Sequence, residues 1–519
     1  METTTSGKII RNTAYNAIGR FWGIAIALAL TPYVIKSIGI ERYGVWAFAG
    51  ILTGYFSLLD FGVGISFVKY ISEYYAKADH KNISRLVTTG VGFYLAFAAL
   101  LIVLSFLVID PLLYFFNIPA ELYGEAAFVF QVGVVLFAVS GAVSAFQSIQ
   151  GGLQRMDISN GISMIVSVPM IAGTVYVLES GYGLRGLILN NAVVLALSSV
   201  LNIIAGFKLL PDLELAPHLF SKEMFRKLFT FGYKLQFSKI ADLIVFQADR
   251  LLVAYFLNLS SVGFYQLGSN LALHMRQLPL LLVSAVLPAA SDMDAKGEYA
   301  KLKELYRRGS KYLVLVSFPL VFFTIVSAQL IMLIWIGPGY ERSAWVLQVL
   351  AAGYLVNLLA GAGVPIGAAI GKPEFQMGAA IVSAVSNILL SVVLIYSFGF
   401  LGAALAVTVS LILGPLYFFV KLHAQLDIST KDLLGEIALM PLLACAVPAA
   451  AVLLLNIKFI PAGSSLSRSA ALGIFLAECL SFSGIYLAIV LKTGGLDSYD
   501  RSILKKLVNL ARGRRWEEC

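Results

Sequence analysis

The chain has 519 residues, 59% hydrophobic and only 13% charged, with a mean hydropathy of +0.85. A soluble domain carries about 25% charged residues, so composition excludes a soluble globular enzyme. The net charge of +9 does not point to nucleic acid, because the basic residues sit in alternate loops between apolar runs. Cys445, Cys479 and Cys519 have no metal-ligand spacing and imply neither a disulfide framework nor a zinc site.

A spanning helix needs about 20 mostly apolar residues, and runs of that length recur from end to end. Lys8 and Arg11 precede the first run without a small-residue cleavage motif, so it reads as an uncleaved helix. In chain order the expected spans are 12–35, 43–66, 86–109, 125–149, 160–178, 186–207, 228–257, 263–289, 311–336, 344–370, 376–397, 401–422, 435–456 and 469–491. The fold class is an all-α polytopic membrane protein with about fourteen transmembrane helices. No connection is long enough for a catalytic domain. The tail, 492–519, mixes Ile503, Leu504, Leu507 and Val508 with Lys505, Lys506, Arg512, Arg514 and Arg515, the pattern of a basic amphipathic surface helix.

Orientation follows from the loop cations. With the N-terminus in the cytoplasm, 27 Lys and Arg fall on the inner side and 6 on the outer, with five inside the spans. Both termini are therefore expected to be cytoplasmic.

One constant offset relates two stretches without gaps. Gly44 and Trp46 correspond to Gly263 and Tyr265; Ser72, Ala76 and Lys77 to Ser291, Ala295 and Lys296; Leu86 and Gly90 to Leu305 and Gly309. A second echo, at a slightly shorter offset, pairs Gly183 and Gly186 with Gly399 and Gly402. The implied architecture is two six-helix bundles, 1–207 and 228–422, joined by a cytoplasmic linker, 208–227, and followed by a helix pair in 423–491. Six helices return the chain to its starting side, so the repeats share one topology. Repeats of this kind flank a midplane site and rock against each other.

A charge at the bilayer centre costs at least about 2.5 kcal/mol. The seventh span holds Lys234, Ser238, Lys239, Asp242, Asp249 and Arg250 within a sector of about 160°, which suits a wet cavity. Mutual neutralisation or snorkelling of these charges is the plainer alternative. Arg20 in the first span corresponds to Lys239 under the offset that joins Gly44 to Gly263, and Asn16 lies one turn before it. Arg276 in the eighth span, near His274, adds a third cation. A cleft lined by Arg20, Lys239 and Arg276, with Lys234 and Arg250 towards the ends, suits a diphosphate. Asp60 either pairs with Arg20, carries a coupling ion or caps a helix at the interface; Asp242 and Asp249 offer charge pairing. Gln131, Gln147, Asn190, Asn191 and Asn202 are candidate sugar contacts or packing hydrogen bonds. Gly361 and Gly363 with Pro365 suggest a flexible segment.

These residues resemble a known family. Gly39, Tyr43, Gly44 and Trp46, followed by Tyr55 to Gly62 with Asp60, look like the N-terminal signature of Wzx-type polysaccharide and O-antigen flippases. Asp249 through Tyr265, Gly371-Lys372-Pro373, Asn387 and Gly399-x-x-Gly402 match its later pattern. The resemblance covers nearly the whole chain. It implies a MATE-like fold and transfer of an undecaprenyl-diphosphate-linked oligosaccharide across the bacterial inner membrane. The implied partners are that lipid-linked substrate, membrane lipids and other polysaccharide assembly proteins, with no nucleic acid and no cofactor. The related lipid II flippases carry a cationic cavity, with cations on the helices where Arg20 and Arg276 fall, and use an extra helix pair as a lipid-tail groove. Drug-exporting relatives often carry a coupling Asp in the first helix, where this chain has Asn16 and Arg20; the coupling ion, H+ or Na+, stays unassigned. A multidrug antiporter on the same fold is the alternative. A membrane glycan polymerase or ligase ranks below it, because the connections at 110–124 and 457–468 are short and nearly uncharged.

Overall fold

The computed structural model describes residues 5–60, 62–283, 286–459 and 466–493, with 495, 497, 499, 500 and 502 beyond. Nearly all of them are helical. The helices are α1 (Thr5–Phe56), α2 (Val63–Ala76), α3 (His80–Phe115), α4 (Ala120–Gly152), α5 (Met156–Glu179), α6 (Gly183–Leu209), α7 (Lys222–Phe256), α8 (Leu259–Leu280), α9 (Val286–Ala295), α10 (Tyr299–Trp335), α11 (Glu341–Leu359), α12 (Gly363–Ala369), α13 (Glu374–Leu426), α14 (Thr430–Ile437), α15 (Leu439–Phe459) and α16 (Arg468–Lys492). Short 3-10 turns at Ser57–Asp60 and Leu281–Val283 precede α2 and α9.

Among the described residues, eleven helices are long and apolar enough to cross a membrane. Two of them are far longer than a bilayer is thick. At about 1.5 Å per residue, the 52 residues of α1 and the 53 of α13 would reach more than twice the ~30 Å hydrocarbon core. Each is broken by a glycine with positive φ, Gly39 at 80° and Gly399 at 56°, a conformation without steric cost only for glycine. Expected separate spans therefore run on as one kinked helix. The second span is also cut short, ending in the 3-10 turn that holds Asp60 before α2 begins. The Gly361–Gly363 stretch is where α11 stops and α12 starts.

Helix ends are fixed by local hydrogen bonds. The Asp79 carboxylate accepts from the Asn82 N–H at 3.1 Å, starting α3; Ser221, Ser429 and Ser467 accept at the starts of α7, α14 and α16. The element ends also keep the repeat. Ala76 ends α2 and Ala295 ends α9; His80 starts α3 and Tyr299 starts α10. Both pairs keep the interval that separates Gly44 from Gly263.

The chain divides into two compact units. The first comprises Met1–Gln266 with Ile395–Ala403, so it includes α7. In it α3 packs along α4, α4 and α5 along α6, and α7 against α2 and α3. Its core gathers Val63, Phe67, Ile71, Leu86, Tyr94, Phe146 and Leu228. A Cβ on Gly90 would collide with the Phe67 ring, and one on Gly44 with the Leu259 carbonyl oxygen; one on Gly263 would sit 2.7 Å from the carbonyl oxygen of Ile40. Ile40 and Leu259 are themselves equivalent under the repeat, so the two close approaches are the same contact made twice.

The second unit comprises Leu267–Leu394 with Ala404–Cys519. Here α10 packs along α11, α15 and α16, around Leu313, Phe318, Ile366, Phe418, Cys445, Phe482 and Tyr486. A buried polar chain crosses it: the Tyr306 hydroxyl meets His423 Nε2 at 2.7 Å, and His423 Nδ1 meets the Thr430 hydroxyl at 2.7 Å. The basic tail beyond Ser502 lies outside the described residues.

Candidate functional site

The first unit holds a cavity of about 800 Å³, within the ~300–1,000 Å³ of ligand pockets. Both halves of α1 line it, from Gly19 to Leu30 and from Trp46 to Thr53, together with α4, α5 and α6. The kink at Gly39 lets one helix supply two walls. Small residues keep the space open: Gly23 and Gly50 have nothing within 4 Å of where a Cβ would stand.

Among the described residues, the lining carries no charged side chain. Its aromatic members are Trp22, Trp46 and Phe137, and its polar members are Thr53, Ser140, Ser163, Ser167, Asn191 and Ser198. Trp22 Nε1 donates to Ser167 Oγ at 2.9 Å, which fixes the indole. Thr53, Ser140, Ser163 and Ser167 each donate their hydroxyl to a backbone carbonyl of their own helix. Their oxygens keep lone pairs to accept from a ligand. A wall of acceptors and aromatic faces suits an uncharged ligand rich in hydroxyl donors.

Of the residues expected from sequence to form a site, Asn191 lines this cavity. Arg20 lies on α1 between the lining residues Gly19 and Gly23; it is exposed and has no ion pair among the described residues. Asn16 accepts from Asn160 Nδ2 at 2.9 Å, tying α1 to α5. Asn190 is buried and donates to the Met170 carbonyl and the Thr174 hydroxyl at 3.1 and 3.2 Å, and Asn202 accepts from Gln150 at 2.8 Å; all three bonds join helices. Gln131 is half-buried and Gln147 exposed on α4. Asp60 accepts from the Tyr94 hydroxyl at 2.5 Å and from the Gly64 N–H at 3.4 Å, at the start of α2. Asp249 and Arg250 are buried, at 3% and 8% exposure, with Tyr55 in electrostatic reach of both. The side chains of Lys234, Lys239 and Asp242 lie outside the described residues.

In the second unit, Arg276 Nε donates to Asn357 Oδ1 at 2.6 Å, and its guanidinium lies 5.6 Å from the centre of the Tyr354 ring. The fixed N–H direction of a guanidinium holds an arginine more rigidly than a lysine could be held. Trp22 and the cavity serines are the functional candidates that no charge or motif marks in the sequence, whereas Trp46 belongs to the signature and the repeat. Their shared face depends on how five helix segments pack.

Comparison with known proteins gives the frame for this site. The sequence profile described as "Polysaccharide biosynthesis protein" matches residues 9–294. A Shigella flexneri protein described as "Putative O-antigen transporter" is 23% identical over 416 residues, covering 79% of this chain and 96% of that protein. The structure of lipid II flippase MurJ in an inward closed conformation superposes with a TM-score of 0.67 at 18% identity, over 92% of this chain and 99% of that one. An inward-facing MATE family multidrug resistance transporter of the MOP superfamily superposes at 0.59 with 12% identity, over 80% and 94%. These relatives are transporters and flippases, not enzymes. The chain therefore belongs to the polysaccharide biosynthesis protein family, as an all-helical multi-pass membrane protein of the transporter and flippase type with a MATE- and MurJ-like fold.

Proposed function

We propose that this protein moves an undecaprenyl-diphosphate-linked oligosaccharide from the inner to the outer leaflet of the bacterial cytoplasmic membrane by alternating access, for polysaccharide assembly. The observation that carries the reading is the cavity of the first unit. Its described lining is uncharged, rich in hydroxyl acceptors and faced by two tryptophans, and so complements sugar rings, which present C–H faces to aromatic rings and O–H groups to acceptors. In this reading Arg20, Lys239 and Arg276 take the diphosphate, as cations that a membrane chain retains at a cost of several kcal/mol. Arg20 stands on the same turn of α1 as the cavity glycines, which brings a cation next to the sugar-like wall.

The topology belongs to the same proposal. Opening α1 and α13 at their glycine kinks and adding α7, whose charges keep it outside the eleven apolar spans, makes fourteen crossings with both termini in the cytoplasm. The constant interval between equivalent element ends and the paired contacts of Gly44 and Gly263 support two repeats of one topology related by a pseudo-twofold.

The test is export in cells that lack the endogenous protein, with each variant checked for abundance in the membrane. Trp22→Ala and the cavity-filling Gly23→Leu should stop surface glycan and build up lipid-linked oligosaccharide on the cytoplasmic side. Normal export from both would overturn the glycan role of the cavity. Efflux of organic cations with no effect on glycan would place the protein with the multidrug antiporters.

A further inference from the structure

A row of aromatic rings runs along the first unit where α7 packs on α3, outside the cavity. Phe97 stacks on Phe93 at 5.9 Å along α3, and Phe93 meets Phe225 of α7 at 5.5 Å. The row continues along α7 through Phe229 at 6.0 Å to Tyr233 at a further 6.2 Å. Tyr233 is 40% exposed, and Phe220, just before α7, is 50% exposed; the other four rings are half-buried. These rings form a surface rather than a core.

The spacing explains the row. Phe225, Phe229 and Tyr233 recur every four residues, so they fall within about 80° of the α7 circumference. A different face of α7 meets α2: the Tyr74 hydroxyl donates to Met224 Sδ at 3.6 Å, and the Ser66 hydroxyl to the Leu228 carbonyl at 2.8 Å.

Two cations share the aromatic face. Lys222 and Arg226 stand at about 60° and 100° from Phe225 around the helix. Both are exposed, and neither has an ion pair or hydrogen bond among the described residues. Arg85 of α3 donates to the Ser221 hydroxyl at 3.2 Å, which brings a third cation to the residue before Lys222. The nearby carboxylates point elsewhere. Glu223 is turned about 160° from Phe225 and is held by Lys227 at 2.9 Å. The linker's Asp212 lies by His80 at 3.8 Å, and the Glu214 N–H donates to Ser84 at 3.0 Å, both back towards the start of α3.

From Lys222 to Tyr233 the helix rises about 16 Å. That is half of the ~30 Å hydrocarbon core, or one leaflet. The surface thus offers unpaired cations at the end where a lipid phosphate sits, with rings below it over the depth of one acyl chain. A polyprenyl chain, several times longer, would leave most of its length off the row.

We propose that Lys222, Arg226 and the aromatic row bind one anionic phospholipid, with its phosphate on the two cations and an acyl chain laid along the rings. Arginine takes two phosphate oxygens in its fork and lysine adds a point charge. The bound lipid clips the start of α7 to α3, and it does so whether or not the cargo is a glycan.

Native mass spectrometry of the full chain in detergent tests this, with phosphatidylglycerol or phosphatidylcholine of matched acyl chains added. The wild type should retain one phosphatidylglycerol about tenfold more tightly than phosphatidylcholine. The Lys222→Gln, Arg226→Gln double variant changes exposed side chains only and should bind the two lipids alike. Removing the same charge elsewhere, by Lys421→Gln with Lys431→Gln, should leave the preference intact. Phe229→Leu should weaken retention of both lipids. Equal retention by the wild type, or a preference that survives the Lys222 and Arg226 changes, would overturn the proposal. So would loss of the preference in the Lys421 and Lys431 variant, which would mark a general charge effect. Displacement of phosphatidylglycerol by millimolar inorganic phosphate, or by undecaprenyl phosphate at equal concentration, would overturn it as well, in favour of a free anion or a prenyl lipid.

Discussion

Gly44 and Gly263 make the same contact from equivalent positions in two related stretches: Gly44 lies against the carbonyl of Leu259, and Gly263 against the carbonyl of Ile40. Each carbonyl belongs to the residue four positions before the other glycine. Such an exchange is what a twofold axis between two copies of one motif would produce. Backbone meets backbone here, so neither side can yield by a change of rotamer. Gly44→Ala should therefore destabilise the protein by about 1–3 kcal/mol, the usual cost of overpacking, and Gly263→Ala by less, since its Cβ has more room. Thermal unfolding in detergent measures both. Equal, negligible shifts would show that the two helix starts are not in close contact.

The repeat also has an unequal pair. Ala78 and Gly297, equivalent under the same offset, both take the left-handed conformation between two helices, with φ of 52° and 70°. An L side chain there costs roughly 1–2 kcal/mol. Gly297→Ala should lower stability by about 1 kcal/mol. Ala78→Gly should raise it by less, because glycine gives back part of the gain as unfolded-chain entropy. Chemical denaturation of the two variants in one detergent should show shifts of opposite sign.

The segment after α16 is tied to α10 by charge. The Asp500 carboxylate, 3% exposed, accepts from Lys311 Nζ at 2.5 Å and from the Tyr312 hydroxyl at 2.6 Å, while the Arg308 guanidinium lies over the Tyr499 ring at 4.2 Å. Burial pushes the Asp500 carboxyl up, but Lys311 and Tyr312 outweigh it and hold it below the ordinary carboxylate range. A lowered value means stability that is present above the unfolded-state value of about 3.9 and lost as pH falls through the folded one. Asp500→Asn should cost about 2 kcal/mol at neutral pH. The gap between wild type and variant should close in acid, and limited proteolysis after residue 493 follows the release. A pH-independent gap would show that the carboxylate charge is not what holds the segment.

Topology can be checked without purification. A reporter fused after residue 300, at the start of α10, should be cytoplasmic, and one near residue 340, before α11, should be external. Reversal of both would invert the proposed orientation.

That this is a polytopic helical membrane protein can be read from the residues alone, because apolar runs of spanning length have few other stable states. A constant interval between like residues could be read there too, through Gly44 and Gly263 and through the Ser72–Lys77 and Ser291–Lys296 stretches, and the resemblance to polysaccharide flippases rested on residues lying in the same order. Charge drew attention to Arg20, Arg276 and Asp60, since a charge in a membrane must be accounted for. Tertiary structure alone decided the rest. An uncharged cavity has no signature in a chain that is apolar throughout. Trp22, Ser140, Ser167 and Asn191 come together only because α1 bends at Gly39 and α4, α5 and α6 close around it. Likewise Asn190 and Asn202 differ from Asn191 in role, although Asn190 and Asn191 are adjacent in sequence. A step of about 100° on the helix turns one amide to a neighbouring helix and the next to the cavity, and which direction faces which depends on packing between helices distant in the chain.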